Sequence, residues 1–197
     1  MKLYHLITTI TAHPFENPHV KKIINKWVGL LRNNDLHKTI SMCDPFSNNK
    51  TTRRQGTSLI SNDLNPKFNS TYNLEFNDFG KLMKSKNKSF DLILFDPPYS
   101  LTQLKKQYEG IGKELEQWQC QRMWTAGKDA LATTVKPGGI VISFGWTSQG
   151  FGKHRGFEKV ELYNIEQSGR DGQYNLQITV ERKVDHNLFE NYINEGS

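Results

Sequence analysis

Residues 90–100 read Phe-Asp-Leu-Ile-Leu-Phe-Asp-Pro-Pro-Tyr-Ser, and this FDLILFDPPYS stretch decides how the rest of the chain is read. The first six residues are nearly unbroken apolar sequence of strand length, the pattern of a strand covered on both faces in a parallel sheet rather than one half open to water. The run stops at Asp96, because the two prolines that follow have fixed backbones and no N–H with which to continue a ladder. A carboxylate and a rigid turn are therefore expected at the end of a central strand.

Outward from that strand, the chain alternates. Toward the C-terminus, 115–135 contains a helix with Trp118, Met123, Ala126, Ala130 and Leu131 among its apolar positions. Lys136-Pro137-Gly138-Gly139 is read as its stop, and 140–144 as another buried strand. Toward the N-terminus, 76–83 reads as a helix, 57–60 as a short strand ending at Asn62-Asp63, and 38–43 as a strand running into Asp44-Pro45-Phe46. Asn17-Pro18 is a helix start, since Asn caps through its side chain and Pro suits the first helical position. Val20, Ile23, Ile24, Trp27, Leu30 and Leu31 then form one apolar face. In the last third, the alternating segments 159–165 and 174–180 flank Gly169-Arg170-Asp171-Gly172 and read as an antiparallel hairpin.

This order predicts an α/β, Rossmann-like fold: a mostly parallel sheet with helices on both faces and a C-terminal antiparallel hairpin. One domain over 1–183 is expected, with 1–37 a helical segment packed on it and 184–197 a polar tail. Such sheets bind ligands at the carboxyl ends of their strands, where Asp44, Asp63 and Asp96 would meet.

The 197 residues suffice for one core, and 36% hydrophobic against 23% charged excludes a disordered chain. No run approaches the length needed to cross a bilayer, and the opening MKLYHLITTITAH lacks a secretion signal, so a soluble, cytoplasmic protein without membrane association is expected. Cys43 and Cys120 lack the spacing of a disulfide framework or a zinc site, so no metal is expected. A net charge of +6 favours a polyanionic partner, although a solvated basic surface gives the same number. There is no P-loop or HExxH pattern.

The chemistry sits in Asp96, Pro97, Pro98 and Tyr99. Asp accepts a hydrogen bond from an amine, and the prolines leave a fixed carbonyl to aim at a ligand; Tyr adds a flat ring. An exocyclic aromatic amine is a poor nucleophile because its lone pair is delocalised. Hydrogen bonds to Asp96 and to the Pro97 carbonyl would localise that pair and aim it.

The run FDLILFDPPYS resembles the catalytic motif of the Rossmann-like, class I amino-group DNA methyltransferases, and KPGGIVISFGW is similar to the strand that follows in that family. The resemblance covers roughly 38–183. It implies S-adenosylmethionine as cofactor, the N6 amine of adenine in DNA as target, and Asp96, Pro97, Pro98 and Tyr99 as the catalytic set, with Tyr99 stacking on an extruded base. It also implies cofactor roles for Asp44, Pro45 and Phe46, for Asp63 on the ribose hydroxyls, and for Asp78 and Phe79 near the cofactor adenine. Ser47-Asn48-Asn49 stands where the family has glycines; Asn tolerates left-handed backbone better than other non-glycine residues. Asp63 also suits an Asx-turn before Pro66, and Asp78 a helix cap.

Lys50, Arg53, Arg54, Lys105, Lys106, Lys113, Lys153, His154 and Arg155 are candidate phosphate contacts if they ring the pocket, and ordinary solvated cations if they do not. Residues 100–113 read as a lid or a plain loop, and Phe144, Trp146 and Phe151 as pocket lining or packing. Little length remains for a separate target-recognition domain. Two other functions fit the same sequence. One is an RNA adenine methyltransferase; the other is a nucleic-acid-binding accessory protein with a degenerate cofactor loop.

Overall fold

The structure, a computed structural model, describes residues 1–9, 11, 13–48, 51, 54–115, 124–168 and 175–184. Its strands are β1 (Lys2–Thr9), β2 (Ile40–Asp44), β3 (Thr57–Ser61), β4 (Phe90–Phe95), β5 (Val135–Gly145), β6 (Phe157–Ser168) and β7 (Leu176–Lys183). Its helices are α1 (Pro18–Arg32), α2 (Phe76–Ser85), α3 (Leu101–Glu109) and α4 (Thr125–Ala132). The strands form one sheet in the order β1-β6-β7-β5-β4-β2-β3, in which β7 alone runs against the rest. The predicted α/β sheet with a C-terminal antiparallel pair is what the chain builds.

β4 is buried along its whole length because its two sides feed two cores. Leu92 and Leu94 point with Met42, Ile140 and Ile142 to the α1 side, where Val20, Ile23, Ile24, Trp27 and Val28 cover them. Ile93 and Phe95 point with Cys43 and Val141 to the side covered by α2 and α4. α1 starts as expected: Asn17 accepts the His19 N–H at 2.9 Å, with Pro18 at the first position. Val28 rather than Leu30 completes its apolar face; Leu30 is 56% exposed. The helix is also tied to the sheet by Glu161, a buried carboxylate that accepts from Lys26 at 2.5 Å, from the Trp27 indole at 3.0 Å and from the Tyr163 hydroxyl at 2.6 Å.

Counted from β2, the β3-β2-β4-β5 half steps outward first one way and then the other, as in doubly wound nucleotide-binding sheets. Beyond β3 an isolated parallel bridge joins Asn62 to Tyr72. The reversal point lies between β2 and β4, which pair at Met42–Leu92 and Cys43–Ile93. Asp44 and Asp96 leave the sheet there.

Three local readings are corrected. The segment before α1 is not only helical: residues 2–9 form an edge strand parallel to β6. Lys136-Pro137-Gly138-Gly139 does not stop a helix; α4 has ended at Ala132, and these residues lie within β5. There the register slips between Phe90–Val135 and Leu92–Ile140, and Gly138 takes φ +74°. Residues 100–113 contain a helix, α3, whose start is capped by Ser100 accepting the Gln103 N–H at 3.2 Å. Trp118, Cys120, Met123, the hairpin turn at 169–172 and the tail from 185 onward lie outside the described residues.

Candidate active site

A cleft of about 1340 Å³ opens at the carboxyl edge of the sheet, across the β2/β4 reversal point. Asp96, Pro97, Pro98 and Tyr99 all line it. Tyr99 donates its hydroxyl to Asp96 Oδ1, and its ring meets Trp146 edge-on, with centroids 5.8 Å apart. The Tyr99 N–H donates to Gln103 Oε1 at 2.8 Å, so the first turn of α3 fixes the end of the motif. Among the described residues, no donor reaches the second Asp96 oxygen or the Pro97 carbonyl.

Burial pushes the Asp96 carboxyl up to about 7; the Tyr99 hydrogen bond pulls it down, and the neighbouring Asp44 charge raises it. Burial pushes Asp44 up to about 7 as well, against hydrogen bonds from Thr51 and the Phe46 N–H and with the charge of Asp63. Burial also raises Asp63, opposed by the Asn65 and Asn48 N–H groups.

The β2 side of the cleft is a folded turn. Pro45 and Phe46 line it, but Asp44 does not: fully buried, it accepts the Phe46 N–H at 3.0 Å and the Thr51 hydroxyl, so it organises the turn from behind. Asn48 has a positive φ of +41°, and donates its N–H to Asp63 Oδ2 at 2.8 Å. Asp63 lines the cleft and accepts the Asn65 N–H on its other oxygen at 2.8 Å. It makes the Asx-turn and still faces the cavity.

Asp78 lines the cleft with a largely exposed side chain, 3.8 Å from Lys81. Phe79 is corrected: it is fully buried under Tyr72, away from the cavity. Phe76 lines the cleft instead, with its ring 4.9 Å from Phe46 and 5.6 Å from Trp124. The reading of the sequence also missed Asn62, which donates to the Pro45 and Leu74 carbonyls and accepts the Leu74 N–H at 3.0 Å, pinning three segments of the wall. It missed Glu75 too, which accepts from the Tyr108 hydroxyl at 2.5 Å and from Lys113 at 3.2 Å and so holds α3 against the start of α2. Position just before an apolar helix face was the available signal for Glu75; Asn62 carried none.

The candidate cations do not gather at the cleft. Lys106 lines it, as does Lys113, paired to Glu75. Lys105 is exposed on α3 but does not line the cavity. Arg54 lies before β3, at the opposite edge of the sheet, 2.8 Å from Asn25 Oδ1. Arg155 is 2.7 Å from Asp129 with its side chain 10% exposed. Lys153 and His154 precede it, close to the start of β6 at that same far edge. Lys50 and Arg53 lie outside the described residues. Trp146 faces the cleft, whereas Phe144 and Phe151 are core residues.

The same arrangement of strands recurs in solved enzymes. A SAM-dependent methyltransferase from Agrobacterium tumefaciens superposes with a TM-score of 0.54 at 10% identity, over 85% of this chain and 62% of that one. The chain has a Rossmann-like class I methyltransferase fold. The CurJ carbon methyltransferase gives 0.51 at 11% identity over 85% and 55%. TrmN from Thermus thermophilus gives 0.48 at 17% identity over 80% and 48%, and so bears on nothing further. The chain thus spans between 48% and 62% of the length of these proteins, and at such identities the likeness concerns the fold. No protein-family model matches the chain, and neither does any curated protein.

Proposed function

We propose that this chain is an S-adenosylmethionine-dependent methyltransferase that modifies the N6 amine of adenine in DNA. One observation carries the reading: Asp96, Pro97, Tyr99 and Trp146 line one cleft at the reversal point of the sheet, and there an Asp96 oxygen and the Pro97 carbonyl have no donor among the described residues. An amine with two protons fits such a pair.

The cleft suits the cofactor on its β2 side. A carboxylate offers about four lone-pair positions, so Asp63, with two backbone donors, keeps capacity for ribose hydroxyls. Phe46, Phe76, Leu64 and Leu74 supply apolar surface for a purine, and Asp78 stands at the rim. The turn at 45–48, closed by Asn48, would hold the methionine portion. When bound there, S-adenosylmethionine supplies an electrophilic methyl group on a sulfonium sulfur.

The residues of the chain act on the acceptor. Asp96 and the Pro97 carbonyl each accept one amine proton, which localises the nitrogen lone pair and points it along the cleft. With S-adenosylmethionine bound there, the nitrogen pair so aimed would form the new N–C bond as the C–S pair went with sulfur. The proton shed by nitrogen passes to Asp96, whose raised affinity near neutrality suits a general base. Tyr99 keeps Asp96 oriented through its hydroxyl and offers its ring face to the base. Lys106, which lines the cleft, is a cation available to a phosphate of the strand.

The test is transfer of labelled methyl groups to DNA and RNA oligonucleotides. Wild type labels adenine-containing DNA, and Asp96→Ala lowers the rate by roughly 10²–10³-fold. Equal labelling by both proteins removes the mechanism, and labelling of RNA alone replaces the substrate.

A further inference from the structure

We infer that Gln167, together with Thr11, forms the base-reading end of the cleft and that the Gln167 carboxamide hydrogen-bonds the ring nitrogen beside the target amine; this rests on the function proposed above. The edge strand makes it possible. By pairing with β6 at Thr8–Gln167, β1 extends the sheet past β6, and Thr11 and His13, which follow it, line the cleft at the carboxyl edge. Thr11, His13 and Gln167 line the same cavity as Asp96, Tyr99 and Trp146, and lie on the opposite side from the turn at 45–48.

Two orphaned atoms mark this end. Gln167 is 7% exposed, yet its Oε1 has no hydrogen-bond partner, and neither has Thr11 Oγ1. Native folds rarely bury polar atoms unpaired, and those that persist call for a partner supplied from elsewhere. Buried side-chain atoms without a partner occur on six described residues, and of these only Thr11 and Gln167 line the cleft.

The chemistry of the partner follows from what is already spent. If Asp96 and Pro97 take both amine protons, the polar groups left on an adenine edge are the ring nitrogens, which only accept. A carboxamide carries a donor and an acceptor on one plane and can turn over, which puts its N–H₂ at the orphaned position, where it meets the ring nitrogen. A base lacking that nitrogen leaves the carboxamide unpaired and is rejected.

The experiment compares wild type, Gln167→Leu and Gln167→Glu on oligonucleotides whose target adenine is unmodified, 1-deaza or 7-deaza, with S-adenosylmethionine binding measured alongside. A well-made carboxamide–base contact is worth roughly 10–100-fold in discrimination. On adenine, both variants should lose about that factor in kcat/KM, with cofactor affinity within about twofold of wild type. Gln167→Glu keeps the shape and loses the donor, so a packing role would let it recover and the reading role would not. Wild type should lose a similar factor on one of the two deaza substrates, and Gln167→Leu should lose nothing further on that substrate. Equal rates for Gln167→Leu and wild type on adenine, or additive losses on both analogues, overturn the assignment. Wild type that binds S-adenosylmethionine but labels neither DNA nor RNA overturns it while leaving the cofactor reading intact; wild type that does not bind S-adenosylmethionine overturns the proposed function itself.

Discussion

Asp96 and Asp44 end adjacent parallel strands; burial above all, with the charge of Asp44 added, makes the Asp96 carboxyl hold its proton to about 7. Because Asp96 can take up the amine's proton only when ionised, kcat/KM is expected to rise with pH through an inflection near 7, the value for free enzyme. A flat profile between pH 5.5 and 9 would contradict this. Asp44→Asn keeps an acceptor for the Phe46 N–H but removes the charge, and should move the inflection down. Tyr99→Phe should move it up, because the hydroxyl bond that favours the ionised carboxylate is lost. The stability of the free protein follows the opposite slope. Both carboxyls bind protons more tightly folded than unfolded, so their contribution is complete below the ordinary value of 3.8, is lost as pH rises toward about 7 and is flat above. FDLILFDPPYS announced the residues that line the cleft at the reversal point because an apolar run and two prolines are local signals. Phe79 and Phe76 were exchanged because both fall on the same helix three residues apart, and which one faces a cavity depends on the neighbouring strand end.

At the scale of elements, the turn after β2 shows how a loop without glycine keeps its shape. Asn48 sits at φ +41°, where an L-residue normally pays steric cost and Asn pays least. Asn48→Gly should therefore leave thermal stability and cofactor affinity nearly unchanged. Asn48→Val should cost about 1–2 kcal/mol in denaturant unfolding and weaken cofactor binding, by displacing the N–H that meets Asp63; unchanged affinity in the valine variant would show that the turn does not shape the site. Strands and helices buried on a full face were legible in the sequence. β1 was not, because an edge strand with Leu3 71% and Ile7 63% exposed alternates too weakly to stand out from a polar leader. α3 was hidden for a similar reason: only Leu104 and Tyr108 of its nine residues are buried. Pro137 and the glycines after it were read as a helix stop because their turn chemistry is the same inside a slipped strand register.

At the scale of the molecule, the sheet separates its two edges. The carboxyl edge carries Asp44, Asp63 and Asp96 at or behind the cleft, while Arg54 and Arg155 are engaged at the other edge in holding helices and loops. Sequence order could not assign Arg155 to an edge, because the chain between β5 and β6 crosses a whole face of the sheet. Carboxyls held near 7 by burial would make the binding of a cationic cofactor beside them proton-linked. Titration of S-adenosylmethionine at pH 7 in buffers of different ionisation enthalpy should show net proton release, since a sulfonium favours ionised Asp44 and Asp96; uptake or no exchange would mean that it binds elsewhere. The most direct measurement is nucleoside analysis by mass spectrometry of DNA incubated with the protein and methyl-labelled S-adenosylmethionine. Label on N6-methyl-2′-deoxyadenosine with wild type, reduced by about 10²-fold or more with Asp96→Ala, is the predicted result. Label on any other position, or undiminished label with the variant, would contradict it.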